Sequence, residues 1–284
     1  MIVIIESAHD MQEFVNRIKK ENKTIGFVPT MGALHKGHVK LVRESKKLAD
    51  FTIVSIFVNP TQFNNKADLE KYPRQLLKDL ELLFPPKVDV VFAPTQEEMY
   101  PNGLDHGNEW DLGGIDQPME GQFRPGHFKG VAQVVKRLLD IVTPDFLFMG
   151  LKDFQQVAVV SHLIKSNNIP TQLISVPTLR SKSGLALSSR NARLSTEGLA
   201  KASMIYKALM SIKRNIDKKP LDILVKKALE KLDANGFKTE YLQVVDGHTL
   251  KQVNHLDMTD YAVVCIATWL EDVRLIDNII LKDS

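Results

Sequence analysis

Thr24-Ile25-Gly26-Phe27-Val28-Pro29-Thr30-Met31-Gly32-Ala33-Leu34-His35-Lys36-Gly37-His38, followed by Val39-Lys40-Leu41-Val42-Arg43-Glu44-Ser45-Lys46-Lys47-Leu48, passes from one hydrophobic period to another. Thr24 to Val28 is an apolar stretch that reads as a buried strand. From Val39 onward the apolar residues recur at helical spacing. Two histidines and a glycine therefore sit where a strand becomes a helix, which in an open α/β sheet is where ligands bind. A helix start offers unpaired N–H groups and the positive end of its dipole, both suited to phosphate. Gly37 permits close approach of backbone to a flat or charged ligand, and imidazoles can donate to phosphate oxygens.

The rest of the chain repeats this alternation. Ile2–Ile5 predicts a strand and Met11–Glu21 a helix with Met11, Phe14, Val15 and Ile18 on one face. Thr52–Val58 is a nearly uninterrupted β-branched run of the kind found in central parallel strands. Leu76, Leu77, Leu80, Leu83 and Phe84 form a helical stripe ended by Pro85-Pro86, and Val88–Phe92 predicts the next strand. A clean apolar stripe at Val131, Val134, Val135, Leu138, Leu139 and Val142 predicts a core-packed helix. Strands at Phe146–Met149 and Gln172–Val176 flank a helix from about Asp153 to Lys165. Repeated βα units of this kind predict a doubly wound, Rossmann-like parallel sheet in the α/β class.

Past Pro177 the texture changes. Two helices near Thr196–Lys213 and Leu221–Asn235 precede strand candidates at Thr239–Val245, Tyr261–Ala267 and Val273–Ile279. Helices followed by strands, without alternation, predict a smaller α+β domain. The expected division is residues 1–178 and 179–284, and 284 residues suit two cores better than one.

Composition sets outer limits. Hydrophobic residues at 44% and charged residues at 25% describe an ordinary globular chain. A net charge of +3 with no basic block does not call for nucleic acid as a partner. No apolar stretch is long enough to cross a bilayer, and Met1-Ile2-Val3-Ile4-Ile5-Glu6 lacks the basic start of a signal peptide. The single cysteine, Cys265, lies in an apolar strand-like run and reads as an inert core thiol, which fits a cytoplasmic protein.

The His-x-Gly-His spacing is also the signature of nucleotidyl transfer known as HIGH. On these residues alone it favours nucleotide chemistry only modestly over a zinc half-site or plain turn residues, and no Cys pair or HExxH partner follows. Three further segments add polar groups after strands. Asn59 and Gln62 in Phe57-Val58-Asn59-Pro60-Thr61-Gln62-Phe63 follow the central strand, where Pro60 is expected to stop it. A glutamine there both donates and accepts, as a hydroxy acid requires, while a turn capped by Asn59 fits equally well. Lys152 in Met149-Gly150-Leu151-Lys152-Asp153-Phe154-Gln155-Gln156 can meet phosphate, Asp153 suits an N-cap, and Gln156 lies one helical turn from Lys152. Leu187-Ser188-Ser189-Arg190-Asn191 has two hydroxyls and a guanidinium beside a glycine-containing loop, resembling the KMSKS element that closes over ATP phosphates, although a polar interdomain loop is the better reading of this segment by itself. One polyanionic ligand, ATP, would use His35, His38, Lys152 and Arg190 together. Neither a P-loop nor a GxGxxG fingerprint is present.

Six blocks in order resemble the pantoate–β-alanine ligase family along essentially the whole chain. They are Pro29 to His38, Phe57 to Phe63, Tyr72-Pro73-Arg74, Arg124-Pro125-Gly126-His127-Phe128, Gly150 to Gln156, and Gly184 to Asn191. The resemblance implies a Rossmann-type nucleotidyltransferase domain, a C-terminal lid domain and a homodimer through the N-terminal domain. It implies ATP, pantoate and β-alanine as substrates, Mg²⁺ accompanying ATP, and no metal held by protein ligands. Carried over position by position, Met31, Gly32, Ala33, Leu34, His35, Lys36, Gly37 and His38 would line the ATP site. Gly150, Leu151, Lys152 and Asp153 would join them, with Leu179, Leu187, Ser188, Ser189 and Arg190. His38, His35, Lys152 and Arg190 would be catalytic. Gln62 and Gln156 would bind pantoate, Gln62 also meeting β-alanine, with Pro29, Thr30, Met31, Tyr72, Arg124 and His127 around the pocket and Asp79 nearby. Two positions depart from the family's habit: Ser183 stands where an acidic residue is common, and Leu151 where Glu is common. Neither removes a phosphate donor.

The implied reaction forms pantoyl adenylate and then the amide pantothenate. The competing classes are a cytidylyl- or adenylyltransferase acting on phosphorylated alcohols, a non-catalytic nucleotide-binding module, and a class I aminoacyl-tRNA synthetase. The last lacks room for a tRNA-binding domain. Gln62 and Gln156 speak against the transferases, and duplicated phosphate-binding groups speak against a mere binding module.

Overall fold

A computed structural model of the chain describes residues 2–63, 69–70, 72–104 and 111–283. The chain divides into two compact units. The first comprises Met1–Asp116, Arg124–Gly150 and Val159–Pro177, and the second Gln117–Phe123, Leu151–Ala158 and Thr178–Ser284. Two short early segments thus cluster with the second unit, an interleaving that one cut in the sequence does not describe.

The first unit is built on a six-stranded sheet: β1 (Val3–Ile5), β2 (Ile25–Thr30), β3 (Phe51–Ile56), β4 (Val90–Phe92), β5 (Phe146–Gly150) and β6 (Gln172–Val176). Their spatial order is β1-β4-β3-β2-β5-β6, and every pair is parallel. Parallel strands must be joined by crossovers, and here helices Ala8–Lys20, Lys36–Leu48, Leu76–Leu83, His127–Val142 and Phe154–Ser166 supply them. The predicted apolar runs become strands buried on both faces: Ile25, Phe27, Val28, Ile53 and Val54 are all fully buried. Val28, Leu34, Leu41, Val42, Val54, Leu83, Val91 and Phe148 form one continuous apolar cluster.

The second unit has a three-stranded antiparallel sheet, β7 (Lys238–Asp246), β8 (Tyr261–Leu270) and β9 (Val273–Asp283), in the order β7-β8-β9. Helices Thr196–Asn215 and Leu221–Asp233 pack Ala202, Ile205, Leu209, Ile212, Leu224, Ala228 and Leu232 with Ala262, Val264 and Ile266 of β8. The period of two along β8 is what turns those three residues to the same face. Cys265 is buried in that strand, and desolvation holds its thiol far above the ordinary range, so it is chemically quiet.

Three local expectations need correction. β3 ends at Ile56, before Pro60, which instead opens a 3-10 turn, Pro60–Gln62. β2 continues through Pro29 to Thr30, past the predicted end at Val28. Lys152 lies in a 3-10 turn, Leu151–Asp153, ahead of the helix that starts at Phe154, so regular helical spacing between Lys152 and Gln156 does not hold. Among the described residues no helix is long and apolar enough to cross a membrane.

Candidate active site

β2 is followed in sequence by β3 on one side, while β5 and β6 extend the sheet on the other. The strand order therefore switches between β2 and β5, whose carboxyl ends are Thr30 and Gly150. Such a switch point is where an open α/β sheet binds ligands.

From Thr30 the chain runs through Met31–Leu34 into helix Lys36–Leu48, whose N-cap is His35. The two histidines cap it reciprocally. His35 Nδ1 accepts from the Gly37 N–H at 3.0 Å, and His38 Nδ1 accepts from the His35 N–H at 3.2 Å. This is a capping box in which imidazoles take the places of the usual Ser and Glu. Their rings lie 4.2 Å apart, centroid to centroid. An Nδ1 that accepts cannot carry the proton in a neutral imidazole, so the tautomer with N–H on Nε2 is selected in both rings. The glycine between them has a local cause: a Cβ at Gly37 would stand 2.7 Å from His35 Cε1 and 2.8 Å from its Nδ1. The close approach expected of Gly37 is made first by a histidine of its own motif.

The stretch before the histidines is clamped from below. Asp79, on helix Leu76–Leu83, is fully buried, and its two carboxylate oxygens accept from Ala33 N–H at 3.0 Å and Leu34 N–H at 2.7 Å. Gly32 and Ala33 both have positive φ, 77° and 50°. A Cβ on Gly32 would come 3.0 Å from Asp79 Oδ2. Burial raises the Asp79 carboxyl above its ordinary range, and the bonds from Leu34, Ala33 and Gln75 only partly offset that. Thr30 Oγ1 accepts from the Gly32 N–H at 3.2 Å and donates to Ser55 O at 2.7 Å, tying the turn to β3. The backbone of Gly32, Ala33 and Leu34 is thus held from within the fold.

Gln62 follows β3 as expected, and it is buried at 8% exposure. Its Nε2 contacts Met31 Sδ at 3.0 Å, and its Oε1 accepts from Asn59 Nδ2 at 3.3 Å. His127 Nδ1 lies 2.8 Å from the Gln62 main-chain oxygen. Asn59 also donates to Gly130 O and accepts from Tyr100 Oη at 2.9 Å. Burial pushes the Tyr100 phenol up to about 12, against lowering contributions from Thr61 and Arg137, so it stays a neutral donor. Met31, Gln62 and His127, which lie far apart in sequence, therefore meet in one cluster of the first unit. Tyr72 stands edge-on to Phe63 with ring centroids 5.6 Å apart, and Arg124 is half-buried just before helix His127–Val142, its carbonyl accepting from His127 N–H. Pro29 is half-buried on β2, and Lys36 is exposed on the first turn of its helix.

The remaining candidates lie in the second unit. Leu151, Lys152 and Asp153 are half-buried, with Lys152 Nζ 3.5 Å from Asp153 Oδ1. Gln156 is half-buried in the first turn of helix Phe154–Ser166. Its neighbour Gln155 is buried and spent on structure, accepting from Glu120 N–H and donating to Pro118 O. The Leu187 N–H bonds Leu179 O at 3.0 Å, closing a hairpin that delivers Ser188. Ser188 caps the 3-10 turn Ser189–Arg193 through its Oγ, which accepts from the Arg190 N–H. Ser188, Ser189 and Arg190 are all half-buried. Sequence reasoning missed Tyr100, whose partner is 41 residues away. It also missed Asp277 and Asn278, although two adjacent polar residues inside an apolar strand were a signal.

Comparison with known proteins identifies the family and the fold. The model of the Pantoate-beta-alanine ligase family matches residues 3–280. Pantothenate synthetase from Thermus thermophilus is 36% identical, with 99% of each chain covered and a TM-score of 0.90. Pantoate-beta-alanine ligase from Francisella tularensis, solved with beta-gamma ATP and beta-alanine, is 38% identical over 99% of this chain and 98% of that one, with a TM-score of 0.80. A twin-histidine helix cap at the switch point of a parallel sheet, carried on a chain that matches these proteins from end to end, places this protein in the pantoate–β-alanine ligase family.

Proposed function

We propose that this chain joins pantoate to β-alanine in two steps on ATP, with the residues above in defined roles. The carboxylate of pantoate attacks the α-phosphorus of ATP, the bond to the β,γ-phosphates breaks, and pyrophosphate leaves with its electron pair. The amine of β-alanine then attacks the acyl carbon of pantoyl adenylate. AMP departs, the amine loses a proton, and the amide pantothenate remains. The first nucleophile is already an anion, so the protein's task is alignment and stabilisation of charge on the phosphates.

The observation that carries this reading is the reciprocal histidine cap. Each imidazole spends Nδ1 on a backbone N–H and so keeps its proton on Nε2, a directional donor beside a helix start. His38 and His35 are the donors toward the triphosphate, and Lys152, Ser188, Ser189 and Arg190 supply further positive charge and hydroxyls. Gln62, tied to Met31 and to His127, offers an amide to the hydroxy acid, with Gln156 as the second amide. Mg²⁺ enters with ATP as part of the substrate and shields the phosphates. Among the described residues the one His/Asp/Glu cluster with ligand spacing is the exposed trio His9, Asp10 and Glu13, none of them a candidate site residue. Family membership also supports a homodimer formed through the N-terminal unit and work in the cytoplasm.

The test is exchange of labelled pyrophosphate into ATP with pantoate present and β-alanine omitted. An acyl adenylate formed first must run backwards, so label enters ATP, and both pantoate and Mg²⁺ are required. No exchange from active, saturated protein would rule out the two-step reading. Exchange without pantoate would point instead to an enzyme-bound AMP.

A further inference from the structure

Asp277 and Asn278 interrupt an otherwise apolar part of β9, and both are buried, at 4% and 7% exposure. Buried polar groups are costly unless each finds a partner. Here the partners belong to the two turns of the second unit that carry candidate phosphate-binding groups. Asn278 Nδ2 donates to the main-chain oxygens of Leu151 at 2.8 Å and Lys152 at 2.9 Å. The Asn278 N–H donates to Asp277 Oδ1 at 2.8 Å, and its carbonyl accepts from Arg180 Nη2 at 3.1 Å. Arg180 grips Asp277 with both arms of its fork, at 2.6 and 2.9 Å, and donates to Gly184 O at 3.2 Å. Its guanidinium lies over the Tyr206 ring, 4.4 Å from the centroid.

Arg180 sits in the hairpin that runs from Leu179 to Leu187, and Asn191 Nδ2 ties the following turn back to Ala186 O at 3.0 Å. The same two residues of β9 therefore fasten both the lysine turn, Leu151–Asp153, and the hairpin that leads to Ser188–Arg190. The two bonds from Asn278 end on the carbonyls at either side of the Lys152 α-carbon. They fix both peptide planes flanking Lys152, and with them the direction in which its side chain leaves the backbone. A lysine stem has four rotatable carbons, so its aim starts from what holds its base, and here Asp153 Oδ1 lies 3.5 Å from the far end.

We infer that Asp277 and Asn278 hold the lysine turn and the serine–arginine turn in one register, and that Asn278 is a positioning residue for Lys152 in ATP activation. This rests on the reading that Lys152 meets the phosphates of ATP. The Asn278 amide donates to the two main-chain oxygens beside Lys152, so its influence on the reaction runs through the aim of Lys152.

Pyrophosphate exchange with Mg²⁺ present, ATP and pantoate each varied in turn at saturation of the other, tests this in four full-length proteins: unaltered, Lys152→Ala, Asn278→Ala and the double variant. Misplacement of a positioned group by about 1 Å costs up to about 10²-fold. Asn278→Ala is expected to lower exchange turnover by about 10-fold or more and to leave the pantoate KM within about two-fold, since Gln62 is untouched. In the Lys152→Ala background the same change should cost less than about two-fold, because no lysine remains to aim. Losses that multiply in the double variant would overturn the inference and leave Lys152 as a phosphate group. Normal exchange by Asn278→Ala would do the same. Normal exchange by Lys152→Ala would overturn the phosphate reading and the inference with it. If Asn278→Ala does not fold, Asn278→Ser replaces it, because a hydroxyl can donate one bond where the amide donates two.

Discussion

In the proposed reaction His38 has two jobs for its two nitrogens, and the split can be measured. His38 Nδ1 accepts the His35 N–H and so completes the helix cap. Losing a side-chain cap costs about 1 kcal/mol of stability. Losing a donor to the charge that builds on phosphate in the transition state typically costs about 10²–10³ in turnover, or roughly 3–4 kcal/mol of barrier at 1.36 kcal/mol per factor of ten. The catalytic loss should therefore dominate. His38→Ala is expected to fold with a slightly lowered thermal midpoint, to bind ATP within a few-fold of normal, and to form adenylate at least about 10²-fold more slowly. Rapid-quench measurement of adenylate at saturating ATP separates the two. A variant that turns over normally once saturated, with only ATP affinity reduced, would assign His38 to binding alone.

Among the elements, the turn between β2 and its helix depends most on a residue outside itself. Asp79 fixes Ala33 and Leu34 from another helix, so the turn's shape is a tertiary product. In Asp79→Asn one acceptor oxygen becomes an NH₂ that faces a backbone N–H, leaving Ala33 or Leu34 unpaired in a buried place, which costs about 1–3 kcal/mol. The expected result is a clear fall in adenylation with an intact fold. The sign of the pH effect follows from the raised carboxyl. A carboxyl whose folded value lies above its unfolded value makes its most favourable contribution to stability below the unfolded value. That contribution is lost as pH rises through the folded value. Asp79→Asn should thus lessen the decline in stability as pH rises across the carboxylate range, even as it harms the turn. Urea melts between about pH 4 and pH 7 check this. An identical pH dependence in both proteins would mean that the Asp79 charge is not held at a cost. The same element shows what a sequence can tell. Hydrophobic period placed the strand and the helix, and the two histidines fall at the start of that helix as the sequence predicts, because those are local signals. That both Nδ1 atoms would turn inward to cap the helix was not legible, since it depends on ring orientations. Nor was the Asp79 clamp, whose partners are 45 and 46 residues away. Asn59 and Gln62 were legible as residues after a strand, but Tyr100 came to them only through folding.

At the scale of the whole molecule, the chain is interleaved: Gln117–Phe123 clusters with a unit whose main body begins 55 residues later at Thr178. The composition of that segment, Gln-Pro-Met-Glu-Gly-Gln-Phe, does not announce this, because its partners, Gln155 and an ion network closed from far along the chain, are distant in sequence. Arg274 donates to both Glu120 oxygens at 2.7 and 2.8 Å and to Glu240 Oε2 from Nε and Nη2 at 2.9 and 2.7 Å. Tyr241 Oη donates to Glu120 at 2.8 Å and Trp269 Nε1 to Glu240 at 2.6 Å. Burial alone would lower the guanidinium's affinity for its proton, but the two carboxylates outweigh it and keep Arg274 charged. Such a network adds little over a well-packed apolar set, yet removing one member leaves a buried charge uncompensated and costs about 3–5 kcal/mol. Arg274→Met strands two carboxylates at once and should lower the stability of the second unit by that amount. Trp269 lies in the network and reports on it, so its fluorescence in a Trp110→Phe background during urea titration follows that unit rather than the whole chain. Adding Glu120→Gln and Glu240→Gln to Arg274→Met removes the stranded charges and should recover part of the loss, a non-additivity expected only if the three residues act as one network. If Arg274→Met stays within about 1 kcal/mol of the unaltered protein, then the segment 117–123 is held by its other contacts, buried Met119 and the Gln155 bonds to Glu120 and Pro118 among them, and the ion network is incidental.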